Sequence, residues 1–157
     1  MFRKEKRLGE ILVKNGVISP EQLNEALEEQ RKTKEFLGHI VVKKYGVRER
    51  RLLEALSEQF GMGLVDLESR YIDWNLVNRV SAAVIFDYKG IPIAHDGTTM
   101  TIAISNPLDV EALKMIEEES RLLARGVRFV LASGDGIEDV IARYRRYLRG
   151  RITRQFE

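Results

Sequence analysis

No cysteine occurs among the 157 residues, so disulfide staples, thiolate nucleophiles and cysteine-based metal centres are excluded. Histidine is nearly as scarce. His39 and His95 stand alone in the sequence, and no clustered carboxylate–histidine set accompanies either, so both are expected at the surface or in packing. The chain also lacks charge of one sign: 26 basic residues are interleaved with 24 acidic ones, a net charge of +2. Nucleic-acid binding rests on a one-signed field, so nucleic acid is not an expected partner. No apolar run approaches a membrane span, and Met1-Phe2-Arg3-Lys4-Glu5-Lys6 has no signal-peptide core, so no membrane insertion is expected. Gly134-Asp135-Gly136 lacks the lysine and hydroxyl residue of a P-loop and reads as a turn before a helix. These absences leave a globular cytoplasmic protein, 44% apolar and 32% charged, that is not an enzyme.

What is present is a repeat. Arg7-Leu8-Gly9-Glu10-Ile11-Leu12-Val13 is echoed by Leu37-Gly38-His39-Ile40-Val41-Val42 at an offset of 29 residues. The same offset carries Leu23, Leu27 and Gln30 onto Leu52, Leu56 and Gln59. A fixed period of this size means one supersecondary unit used twice. Each copy reads as a pair of short helices. The first helix is expected from about Lys4 to Asn15, ended by Gly16 as a left-handed cap. Ser19, Pro20 and Gln22 supply an N-cap, a first-turn proline and a capping box for the second. The second copy carries Tyr45 in the place of Gly16, followed by Gly46, and has no obvious cap before its second helix.

Past Phe60 the texture changes. Leu64–Leu67 reads as a short extended segment, and Asp73 as the cap of a helix through Trp74, Leu76, Val77 and Val80. Ile91–Ala94 and Met100–Ile104 flank Asp96-Gly97 and read as a hairpin, with Pro92 placing its strand at an edge. Asn106-Pro107-Leu108-Asp109 feeds a helix, Val127–Ala132 is the most strand-like run, and a last helix is expected from about Gly136 to Arg149. The expected class is α+β: a duplicated all-α helix-pair module at 1–60, a small α/β module with three to four strands at 64–150, and a polar tail at 151–157.

Written out, the first copy is Arg7-Leu8-Gly9-x-x-Leu12-Val13-x-x-Gly16-Val17-Ile18, then Leu23, Leu27 and Gln30. This resembles the cyclic di-GMP motif of the MshE-type N-terminal domain, which precedes the motor in ATPases of type II secretion and type IV pilus assembly. In that family two motifs stand in tandem, and Arg31–Glu35 occupies the spacer here. The second copy keeps Leu37, Gly38, Val41, Val42, Leu52, Leu56 and Gln59. It departs at Phe36, where the family has arginine, and at Tyr45, where the family has glycine. Ile91-Pro92-Ile93, Asp96-Gly97 and the run Met100–Asp109 resemble the α/β half of the same region.

The resemblance implies a regulatory domain without the ATPase motor, with cyclic di-GMP as ligand and no cofactor, metal or catalytic residue. It implies a partner in the secretion or pilus machinery, either an inner-membrane platform component or the motor ATPase. The alternative is a docking or adaptor module of that machinery that binds no nucleotide. The implied ligand residues are Arg7, Leu8, Gly9, Leu12 and Gln30 from the first copy and Phe36, Leu37, Gly38 and Gln59 from the second. Arginine suits guanine or phosphate, by stacking or bidentate pairing. Glycine lets a base approach backbone closely. Exposed leucines at the motif's start would pack on base faces, and the two glutamines would hydrogen-bond across the helix pair.

Overall fold

The computed structural model describes residues 2–156, and the chain divides into two compact units, Met1–Met62 and Gly63–Glu157. The first holds four helices: α1 (Phe2–Lys14), α2 (Pro20–Thr33), α3 (Leu37–Tyr45) and α4 (Glu49–Phe60). The repeat offset separates the first residues of α2 and α4. The Ser19 hydroxyl accepts from Gln22 N while the Gln22 side chain accepts from Ser19 N, completing the expected capping box. Arg48, at the equivalent position ahead of α4, makes no side-chain cap.

Packing is reciprocal between the copies. α1 lies chiefly on α4 and α2 on α3, so the first helix of each copy packs against the second helix of the other. Leu8, Leu12, Leu37, Ile40, Val41 and Leu56 are at most 1% exposed and form the shared core. Neither copy could bury its apolar face alone. The duplication is therefore one folding unit rather than two.

The turns differ, as the shifted glycine requires. Gly16 adopts φ +71° after α1, and Gly46 adopts φ +65° as the left-handed cap of α3. Tyr45, in Gly16's place, is half-buried, and its hydroxyl lies 2.8 Å from Glu25 Oε2 and 3.1 Å from the Gln22 carbonyl. Burial, then the hydrogen bond to Glu25, then the charges of Glu25 and Glu29 push its pKa up to about 12 from 10.0. A raised folded pKa favours the neutral phenol, so this contribution to stability is complete below pH 10 and lost as pH rises toward 12. An ultraviolet titration is expected to show a tyrosine step near pH 12 that Tyr45→Phe removes. An unchanged titration curve in Tyr45→Phe contradicts it.

The second unit is built on a three-stranded sheet in the order β1-β2-β3. β1 (Ile91–His95) and β2 (Thr99–Ile104) form the expected antiparallel hairpin, with a register shift between Pro92 and Ala94. β1 is an edge, which tolerates Pro92's missing N–H. The Asp96 carboxylate in the turn accepts from Thr99 N, then from Thr98 N and the Thr98 hydroxyl, which holds its pKa below the usual carboxylate value. β3 (Gly126–Leu131) runs parallel to β2, with α7 (Val110–Ser120) making the crossover. Leu64 bridges Leu131 on the far side of β3, a one-residue fourth strand.

Three expectations in this unit need correction. The helix capped by Asp73 covers only Trp74–Val77 (α5), and a second short helix, α6 (Ala82–Phe86), follows it. The last helix, α8 (Gly134–Gln155), starts two residues early because Ser133 caps it, accepting from Gly136 N at 2.9 Å. It also runs through Gly150, so residues 151–155 of the expected tail are exposed helix, while Glu157 lies outside the described residues. Stacking of Trp74 on Tyr144 and Tyr147, and of Phe86 on Tyr144, fastens α5 and α6 to α8.

Candidate functional site

The motif residues separate into scaffold and surface. Leu8, Leu12 and Leu37 are each 0% exposed, so the leucines expected to meet a base face are core instead. For Leu8 and Leu12 the reason is that α1 packs on two helices at once, which buries more of its circumference than a single stripe; Leu37, at the start of α3, packs against α1 at Gly9. Gly9 and Gly38 are buried as well. A Cβ on Gly9 would overlap Leu23 Cδ1 and lie 3.3 Å from Leu37 Cδ2; one on Gly38 would meet Phe36 Cε1 at 2.5 Å and Leu52 Cδ2 at 2.8 Å. Leu23 and Leu52 are equivalent under the repeat. In both copies the glycine admits the leucine of the following helix.

The two glutamines make hydrogen bonds of matching kind. Gln30, 2% exposed, donates from Nε2 to the Glu35 carbonyl at 3.0 Å. Gln59 donates from Nε2 to the Lys4 carbonyl at 2.8 Å, and its buried Oε1 has no hydrogen-bond partner. The first bond secures the residue just ahead of Phe36, and the second secures Lys4 in the first turns of α1, three residues before Arg7. The glutamine of each copy thereby holds the entry of the other.

Those two first positions are unlike. Arg7 is exposed on α1 and, among the described residues, has no ion-pair partner. Phe36 is half-buried; its ring leans over its own Gly38 and meets His39 edge-on at 5.2 Å. Phe36 also gives α3 no side-chain cap. Glu5 supplies one from α1. It is 2% exposed, and its Oε1 accepts from Leu37 N at 3.3 Å.

A cleft of about 460 Å³ in the helical unit is lined by Lys6, Asn24, Leu27, Gln30, Arg31 and Lys34. Gln30 is the one candidate residue in that lining. Lys6, Asn24, Arg31 and Lys34 were not marked by the sequence; Arg31 lies in the last turn of α2 and Lys34 at its cap, where basic side chains suit the helix dipole. No group of three or more potential metal ligands occurs among the described residues. No helix of the described residues is long and apolar enough to cross a membrane.

The arrangement is that of an α+β domain: a duplicated helical unit followed by a small mixed-sheet unit. The MshEN domain matches residues 60–151, and the chain belongs to that family. A solved structure of MshE is 30% identical with a TM-score of 0.80, covering 88% of this chain and 98% of that one. The N-terminal domain of XpsE, 18% identical with a TM-score of 0.66 over 89% of this chain and 94% of that one, shares the fold. The type IV pilus assembly ATPase PilB of Thermus thermophilus is 37% identical over 147 residues, which is 90% of this chain and 15% of that protein. PilB of Myxococcus xanthus is 29% identical over 138 residues, 88% of this chain and 24% of that protein. The chain thus spans less than a quarter of the length of these relatives.

Proposed function

We propose that the chain is a cytoplasmic, non-enzymatic domain of a type IV pilus or type II secretion assembly ATPase that responds to cyclic di-GMP. The observation that carries this reading is the reciprocal pairing of the two motif copies into one unit. A two-fold ligand with two guanines and two phosphates suits two copies that share a core. The MshE structure, which is of that protein with cdg, supports the same reading. Arg7 is the one motif residue whose exposure and lack of an ion pair suit contact rather than scaffold. The glycines and leucines then set the helix spacing that presents Arg7, and the glutamines hold each entry in place. The output is a change in docking to the motor or to an inner-membrane platform component.

Arg7→Ala tests this reading. An exposed, unpaired arginine contributes within about 0.5 kcal/mol to stability, whereas a guanine or phosphate contact is worth roughly 1–3 kcal/mol. Calorimetric titration is expected to give a five- to hundredfold loss of cyclic di-GMP affinity, on the order of that energy, with an unchanged thermal midpoint. Wild-type protein that takes up no cyclic di-GMP at high micromolar concentration sinks the reading.

A second reading, a docking module that binds no nucleotide, is favoured by Phe36 alone. Its ring replaces a charge and leans across Gly38, closing that face of the second copy. Phe36→Arg separates the two: tighter cyclic di-GMP binding belongs to the first reading, and no binding in either form belongs to the second.

A further inference from the structure

We propose that the outer end of α8 docks the second unit onto a membrane surface of anionic phospholipid. The stripe that belongs to the core at Tyr144 continues at a spacing of four through Leu148, Ile152 and Phe156. Tyr144 is 6% exposed, Leu148 is half-buried, Ile152 is 56% exposed and Phe156 86%. Residues at that spacing share one face of a helix, so an apolar face leaves the core and runs out into solvent. Trp74 and Phe86, both half-buried, stack on Tyr144 where the stripe departs.

The charge around this face is of one sign. Six arginines and no aspartate or glutamate stand between Val140 and Phe156, in a chain whose net charge is only +2. Arg143 is paired with Asp139 at 3.0 Å. The other five have no ion-pair partner among the described residues. Two of them lie over rings instead, Arg145 over Phe86 at 5.2 Å and Arg151 over Tyr147 at 5.8 Å. At 3.6 residues per turn, Arg145 and Arg149 fall on one side of the stripe, Arg151 on the other, and Arg146 and Arg154 behind it.

This order decides the partner. A second copy of the chain laid along the stripe would bring arginine against arginine, and like charges repel. Duplex nucleic acid would take up the guanidiniums but leave Ile152 and Phe156 in water. An anionic bilayer meets both demands: acyl chains receive the stripe, and the plane of phosphates above them receives the flanking guanidiniums. The helix then lies in the surface with Arg146 and Arg154 turned to water, and does not cross the membrane.

The proposal goes beyond the cyclic di-GMP reading and does not rest on it. The test is co-sedimentation of the full chain with vesicles of phosphatidylglycerol and phosphatidylcholine at constant ionic strength. Saturable binding is expected, and almost none to phosphatidylcholine alone. Arg149→Gln/Arg151→Gln is expected to weaken it on the order of twentyfold, about fivefold for each cation at an anionic surface. Arg146→Gln/Arg154→Gln removes the same charge from the back of the helix, roughly 10 Å further off, which is about one Debye length. Its loss is expected to stay within about threefold, the effect of that screening. Ile152→Ser/Phe156→Ser, which keeps every charge, is expected to weaken binding on the order of tenfold by removing the buried apolar area. Circular dichroism verifies that the three variants are folded, and Arg7→Ala is expected to bind vesicles as the wild type does. The proposal is overturned by absence of binding to the anionic vesicles, by equal losses in the two arginine pairs, by unchanged binding in the serine pair, or by tighter binding to a DNA duplex than to vesicles at the same salt.

Discussion

Leu8→Ala is expected to destabilise the helical unit by roughly 2–5 kcal/mol, the cost of a cavity at a fully buried leucine. Leu8 is 0% exposed, and α1, which carries it, is clamped between α2 and α4. Such a site cannot collapse toward solvent. A unit of this size has only about 0.05–0.15 kcal/mol of stability per residue, so a large fraction of its folding free energy is at stake. Denaturant melts followed by circular dichroism report it, because the single tryptophan, Trp74, belongs to the other unit. Loss of ligand binding in Leu8→Ala is then a consequence of unfolding, in contrast to Arg7→Ala one residue away. A midpoint shift worth less than about 1 kcal/mol, far below the cavity cost, would show that Leu8 is not the core residue described here.

The contrast between these neighbours marks what the sequence could reveal. The 29-residue offset, the capping box at Ser19, the shifted Gly46 and the hairpin at Asp96-Gly97 are local chemistry, and each appears where the pattern places it. Burial of Leu8, Leu12 and Leu37 depends on which helix each copy packs against. Periodicity marks an apolar face but does not count the partners of that face. Ala82–Phe86 is too short to display a helical period, so α6 was hidden. Gly150 looked like a stop, yet it lies inside α8, a tolerated cost of about 1 kcal/mol relative to alanine. The basic cleft was illegible for a different reason. Lys6, Arg31 and Lys34 meet only after α1 folds onto α2.

Gly9→Val is expected to be severely destabilising, at or above the top of the roughly 1–3 kcal/mol typical of overpacking. The first added carbon already overlaps Leu23 Cδ1 and lies 3.3 Å from Leu37 Cδ2. Leu23 is 9% exposed and Leu37 0%, so neither has room to retreat, and valine adds two further methyl groups. Gly38 is equivalent in the repeat but not in its surroundings. Its nearest obstacle, Phe36, is half-buried, and the ring can swing toward water. Only Leu52 must then shift within the core. The alanine pair isolates this difference, because both positions lie in helices, where alanine gains up to about 1 kcal/mol over glycine. Gly38→Ala is expected to lie near neutral, the propensity gain offsetting the displacement of Phe36 and Leu52. Gly9→Ala is expected to remain destabilised, since a clash against two core leucines exceeds that gain. Parallel thermal melts of the two alanine variants decide it. Equal midpoints would mean that Phe36 is as firmly held as Leu37, and that the second copy's face is a packed surface rather than one a ring merely covers.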